Sequence, residues 1–415
     1  MKNIILLSLV VVLFSCGSGN SGGSAKSDST ASAAAPAVPP PPALPLQNQM
    51  VMHPGNPTPP DSIHTLAATN LKSSVNFMRA TNNNQMKFHK VEVFYGTDRQ
   101  RSAPNDKIKY YGSKRNESNK YEVGVIEISI PHDHEVGKIE KAPGWKLWDR
   151  NNATKYVLGL GLTPLDYDTF CQRIKKIVDS SDEKDEFIFI HGYNNSFEDA
   201  AKRTAQLAFD LGFKGAPIMF SWPSSGTTGG YLADEDAVQW AVPHLNDFLS
   251  RIITQTGAKK IHVIAHSMGN RALTAVLMSM ESAHPGILFD QIILAAPDID
   301  SAIFKRDIAP KILTISNRIT LYASSHDKAL IASKDVHHDI RAGEGGKHVF
   351  ISNGIETIDA TDLKIPDFLD HSYFAESRPL LDDISKLFEF NAPPEKRNLL
   401  SQIIPIDLKY WLFKK

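Results

Sequence analysis

The stretch "IHVIAHSMGN", Ile261–Asn270, decides how this chain reads. Ile261, Val263, Ile264 and Ala265 form a short run apolar enough to be buried on both faces, as strands of a covered parallel sheet are. The run breaks at Ser267, which has Ala265 two residues before it and Gly269 two residues after it. The segment "NRALTAVLMSM" then continues with helical composition. Strand, tight turn and helix, with small residues around a central serine, make a G-x-S-x-G-type nucleophile elbow with alanine in the first slot. Such a turn holds the hydroxyl above the sheet, and the positive end of the following helix favours negative charge nearby. Ser267 is the candidate nucleophile. The competing reading is an ordinary strand–turn–helix with a solvated serine, so the partners must decide.

Outward from this stretch, strands and helices alternate. "FIFIHG", "APIMFSWP", "QIILAAPD" and "RITLYASS" are further apolar strands. Between them, Phe197, Ala201, Ala205, Ala208 and Phe209, and then Ala237, Trp240, Ala241, Leu245, Phe248, Leu249 and Ile252, recur at helical spacing. Leu380, Leu381, Ile384, Leu387 and Phe388 stripe a last helix. Upstream, "KVEVFYGTDRQR" and "YEVGVIEISIP" read as β-branched strands, and 350–357 as one more. The expected fold class is α/β, a mostly parallel sheet flanked by helices on both faces. Ligands on such sheets bind beyond the carboxyl ends of the strands, so chemistry is sought just after each apolar run.

A serine that attacks a carbonyl needs two preorganised donors for the oxyanion, a base, and a carboxylate that orients the base. The backbone N–H of Met268 is one donor. The other is expected from the loop after "FIFIHG", where the N–H of Tyr193 follows His191-Gly192; His191 itself reads as a loop-holding side chain. Two strand ends offer the acid. Asp327 in "ASSHDKAL" occupies the usual, later place, with Asp298 or Asp300 in "APDID" as the fallback. For the base, His326 adjoins the acid and cannot easily turn to face it, and His337 and His338 come before another strand can be completed. His371, in "DHSYF" ahead of the last helix, is well placed. The chain order Ser267, Asp327, His371 is that of a serine-hydrolase triad built on such a sheet.

On these motifs, residues from about Val91 to Phe390 resemble the α/β-hydrolase superfamily. The combination "VFYGTDR", "FIHGYNNSFEDAAKRTAQLAFDLGF", "FSWPS", "IHVIAHSMGNRAL", "ILAAPDID", "ASSHDKAL" and "DHSYF" resembles its bacterial DUF900 branch, alpha/beta hydrolases of unknown function. The resemblance implies an α/β-hydrolase fold and an esterase- or lipase-like serine hydrolase. It supplies no substrate. Ala265 in place of glycine is a small-for-small departure. An acyltransferase using the same acyl-enzyme, and a catalytically silent envelope protein that uses the fold for binding, are the alternatives.

Composition sets the frame. The chain has 415 residues, 42% of them hydrophobic, a formal net charge of −1 and a pI near 7.0. Nothing in that balance favours nucleic acid. Cys16 and Cys171 are its two cysteines, too differently placed for a disulfide framework. Met1-Lys2 and the apolar run Ile4–Phe14 form a signal segment too short to span a bilayer. It closes in Leu13-Phe14-Ser15-Cys16, which resembles a bacterial lipoprotein signal, so Cys16 is the expected lipidation site. Residues 1–15 are thus read as signal peptide, 16–86 as lipidated Cys and Gly/Ser/Ala/Pro tether, 87–390 as the hydrolase domain and 391–415 as an apolar tail. The expected partners are a small-molecule or lipid ester and a membrane reached through the lipid anchor, with the outer membrane of a bacterial envelope as the expected location. No cofactor and no metal are expected. His132-Asp133-His134 lacks further ligands at suitable spacing and reads as an exposed loop. Cys171 reads as a small core residue on a helix, and Trp222 equally as a pocket wall or a core side chain.

Overall fold

Each apolar run becomes a strand because only a sheet covered on both sides can bury it whole. The computed structural model describes residues 87–414, apart from 104, 107–108, 144–148, 150, 228, 328–329, 331–332, 334–336, 364–372 and 405–407. The strands are β1 (Phe88–Thr97), β2 (Arg99–Arg101), β3 (Tyr111–Arg115), β4 (Glu122–Pro131), β5 (Leu158–Leu165), β6 (Asp185–Ile190), β7 (Ala216–Ser221), β8 (Lys260–His266), β9 (Phe289–Ala295), β10 (Ser316–Ala323), β11 (Ile355–Asp359), β12 (Leu399–Ile403) and β13 (Lys409–Phe413). Eleven of them form one sheet in the order β12-β13-β11-β10-β9-β8-β6-β7-β1-β4-β5, and β2 and β3 pair separately. From β13 to β1 every neighbouring pair is parallel. The antiparallel pairs lie toward the edges, β1–β4, β4–β5 and β12–β13.

The principal helices are α1 (Tyr167–Ser180), α2 (Phe197–Asp210), α3 (Tyr231–Trp240), α4 (Val242–Gln255), α5 (Gly269–Ala283) and α6 (Arg378–Phe390). Strand side chains alternate between two cores. Ile188, Ile190, Val263 and Ala265 face the layer of α1, α4 and α5, whereas Phe187, Phe189 and Ile264 face α2 and α6. The stripe on α6 is wholly buried, each large side chain contributing about 1.5–3 kcal/mol as an upper figure. Helix starts are chemically marked. Asp166 accepts the Thr169 N–H, and Ser196 and Asp199 form a capping box, each cap worth about 1 kcal/mol. Asn391 ends α6 in the left-handed conformation, φ 46°.

Two expectations change. The segment 391–415 is not a tail appended to a finished domain: β12 and β13 belong to the main sheet, and β13 runs parallel to β11 with Ile358 opposite Trp411. Nor is the His132–His134 loop simply solvated. The His134 side chain is 2% exposed, with Nδ1 2.9 Å from Glu140 and Nε2 2.9 Å from Asp210 at the end of α2. Its two nitrogens are taken by carboxylates. Burial opposes the charged ring, but those two carboxylates outweigh it and hold the imidazolium up at about 9.

Candidate active site

Ser267 lies between the end of β8 and the start of α5 with φ 50°, a left-handed conformation uncommon for a residue with a side chain. Close packing imposes it. A Cβ placed on Gly192 would stand 2.9 Å from Ser267 Cβ and 2.9 Å from His266 Nδ1, and one placed on Gly269 would collide with the His191 carbonyl. The elbow backbone is fixed from both strands: Ser267 N–H donates to Ala295 O at 2.9 Å, and Asn270 Nδ2 donates to the carbonyls of Ala265, Ser267 and Ala295. Such strain persists only where the surroundings over-determine it, and it concentrates at functional sites. Met268 follows at the helix start, among the N–H groups that lack an intrahelical acceptor.

The loop carrying Tyr193 leaves β6, the neighbour of β8. His191 is buried, its ring stacked on Trp222 with centroids 4.9 Å apart, while Trp222 Nε1 donates to His191 O at 2.8 Å. Trp222 is therefore a fully buried brace under this loop. Burial, with the Arg99 charge beside it, holds the His191 pKa down at about 3, so the ring is neutral. Asn195 Nδ2 donates to the carbonyls of Gly192 and Tyr193. On the other side Asp234, in the first turn of α3, accepts the N–H groups of Asn194 and Ser225 and the Ser224 hydroxyl. Arg99 and Asp234 were not anticipated as site residues. The signal for Arg99 was its place just after β1, and for Asp234 there was none.

The two acid candidates have different surroundings. Asp298 is 1% exposed and accepts the hydroxyls of Tyr231 and Ser333; Arg271 lies 3.2 Å and Arg341 Nε 3.5 Å away. That carboxylate is the hub of a buried network ordering the loop after β9. Asp300 caps the next helical turn through the Ile303 N–H. Asp327 follows β10, is 4% exposed, and accepts the Leu330 N–H at 3.0 Å. It lines a cavity of about 450 Å³ together with Ser324, Leu330, Glu344 and His348. His371 and Cys16 lie outside the described residues. Of the histidines set aside, His337 is paired with Glu235 at 2.7 Å. Cys171 is buried on α1, and burial pushes its thiol up to about 11, far from a reactive thiolate.

A family model described as alpha/beta hydrolase of unknown function (DUF900) matches residues 167–387, just over half of the chain. No curated protein matches it. Among solved structures, a candidate cell-surface hydrolase from Lactobacillus plantarum aligns at 11% identity and TM-score 0.27, over 52% of this chain and 96% of its own. The acylaminoacyl peptidase of Pyrococcus horikoshii aligns at 11% identity and TM-score 0.28, over 64% of this chain and 39% of its own.

Proposed function

Since the chain belongs to the DUF900 alpha/beta hydrolases, we propose that it is a serine hydrolase that cleaves carboxylic esters through an acyl-enzyme. Ser267 attacks the acyl carbon. His371 takes the hydroxyl proton and returns it to the leaving alcohol, and Asp327 holds the imidazole and stabilises its cation. The N–H groups of Met268 and Tyr193 receive the oxyanion. Water then attacks the acyl-enzyme with His371 as base, releasing the acid. The observation that carries this reading is the strained Ser267 at a strand-to-helix turn, with Gly192 and Gly269 packed too closely for any side chain. The contacts of Asp298 support Asp327 as the acid, because Asp298 is already committed to Tyr231, Ser333 and Arg271.

Labelling of the full chain by a fluorophosphonate, followed by a panel of esters of graded acyl length, tests the proposal. Label on Ser267 and ester turnover are expected; a chain that takes no label and turns over no ester refutes it. We also propose that the mature protein is lipidated at Cys16 and held at a bacterial envelope membrane. Among the described residues no helix is long and apolar enough to cross a bilayer, and the proposal rests on the Leu13–Cys16 sequence.

A further inference from the structure

Arg99 opens β2, directly after β1, and its side chain is buried. A guanidinium has five N–H donors, and here five acceptors surround it. Nε donates to Ser221 Oγ at 2.9 Å. Nη1 donates to the carbonyls of Gly112 at 3.0 Å and Ser224 at 3.1 Å. Nη2 donates to Asn195 O at 2.8 Å and to His191 Nε2 at 3.3 Å. Among the described residues, none of these partners is a carboxylate. Burial pushes the Arg99 pKa down to about 10, with Asp98 and Asp234 opposing, so the group stays charged at neutral pH. A buried cation without a paired anion is costly to keep for stability alone. Its acceptors explain its place: His191, Asn195 and Ser224 belong to, or bind, the loop that follows β6.

The contact with His191 has a chemical consequence. Nη2–H can donate only to a bare ring nitrogen, and the Ser221 hydroxyl lies 3.2 Å from the same Nε2, so these two donors favour the neutral imidazole with its proton on Nδ1. That proton goes to Gly192 O, 2.8 Å away. Without Arg99 the ring has an alternative, since Trp222 O lies 3.1 Å from Nε2 and would accept a proton placed there. Gly192 O also accepts from Asn195 Nδ2 at 3.3 Å. The chain has no cis peptide among its described residues, so the N–H of the Gly192–Tyr193 peptide points opposite to its carbonyl. Two donors on Gly192 O therefore fix and polarise the Tyr193 N–H.

We infer that Arg99 is a positioning residue for the oxyanion loop, acting by favouring the Nδ1–H tautomer of His191 and by holding Asn195, so that the Gly192–Tyr193 peptide is locked with its N–H as donor. The inference rests on the serine-hydrolase reading for what that donor receives, but not for the tautomer.

Long-range proton–nitrogen correlation on the full chain with ¹⁵N-labelled histidine reads the tautomer directly. His191 is expected as Nδ1–H in the native protein, and as Nε2–H in Arg99→Met. In that variant the first-order rate of fluorophosphonate inactivation should fall roughly 10- to 100-fold, less than the roughly 10²- to 10³-fold for losing an oxyanion donor outright because the Tyr193 N–H is loosened and not removed, with the half-saturating concentration unchanged. Arg99→Lys, which keeps the charge on a single donating nitrogen, should fall between. A native His191 protonated on Nε2 overturns the inference, whether or not Arg99→Met folds. So does a folded Arg99→Met that reacts at the native rate. If the native chain takes no label at all, the hydrolase reading fails, while the tautomer still answers for Arg99.

Discussion

The clamp on His134 makes stability depend on pH in a way that can be isolated. The unperturbed imidazole has a pKa of 6.5, and Asp210 and Glu140 raise it to about 9 against the opposing effect of burial. A group whose folded pKa is raised stabilises the fold fully below its unfolded pKa and loses that contribution as pH climbs through the folded one. The window is therefore from about 6.5 to about 9. At 1.36 kcal/mol per unit the clamp contributes about 3 kcal/mol as an upper figure. Two local supports depend on the same carboxylate, since Asp210 also accepts the Gly137 N–H at 2.7 Å and bonds Gln206. Gly137 in turn lies so close to Glu376 that a Cβ there would collide with its carbonyl. Glu376, bonded to Arg203, lies in the chain just beyond His371. Unfolding free energies from urea titration of the native chain and His134→Gln should differ by up to about 3 kcal/mol at pH 6, and by much less near pH 9.5. Glu186, which burial holds up at about 8, titrates in an overlapping range but is common to both proteins and cancels. An equal difference at both pH values would refute the charged clamp.

The remaining expectations concern the site and its location. Ser267→Ala should stay folded, abolish fluorophosphonate labelling and lower turnover by on the order of 10⁶-fold; undiminished labelling would move the nucleophile elsewhere. Asp327→Asn should cut turnover by up to about 10⁴-fold through the wrong imidazole tautomer, and Asp298→Asn should cut it less while costing more thermal stability. A reversed pair of effects on turnover would place the acid one strand earlier. Gly192→Ala puts a methyl group 2.9 Å from Ser267 Cβ, and a displacement approaching 1 Å at the nucleophile costs about 10²-fold, measurable as slower labelling in a folded protein. Cys16→Ser should release the protein from the membrane fraction, and a native chain recovered without lipid would remove the anchor.

The central strands were legible because burial on both faces leaves a continuous apolar run, as in Phe187–Ile190 and Ile261–Ala265. The helices were legible because a single buried face imposes its period, as on α6. The edges were not. β5 is "LGLGLTPL", half-exposed and glycine-rich, and carries no alternation to read. β12 and β13 looked like a tail because, beyond their own antiparallel pairing, they join the sheet only through a non-local pairing of β13 with β11. The elbow was readable from local spacing, since a tight turn demands small neighbours wherever it occurs. The braces around it were not. Arg99, His191, Ser221 and Ser224 meet only when β1, β6 and β7 lie side by side, and no spacing in the sequence encodes that meeting. The His132–His134 loop misled for a related reason, since the second carboxylate reaches His134 from Asp210, in another element.

The position of β1 in the sheet bears on partly opened forms of the molecule. It precedes β7 in the chain by a long way, yet Phe94 lies opposite Ile218, and β1 joins the β4–β5 meander to the parallel core. Regions open locally in cooperative units that often coincide with supersecondary motifs such as a meander. If it lifts away, β6, β8 and the elbow at Ser267 keep their mutual pairing, while Arg99 is withdrawn into water with β1. The strained serine would survive in that form, but the loop carrying Tyr193 would have lost its deepest support. Opening of the sheet on the β1 side would thus reach the loop carrying Tyr193 through Arg99.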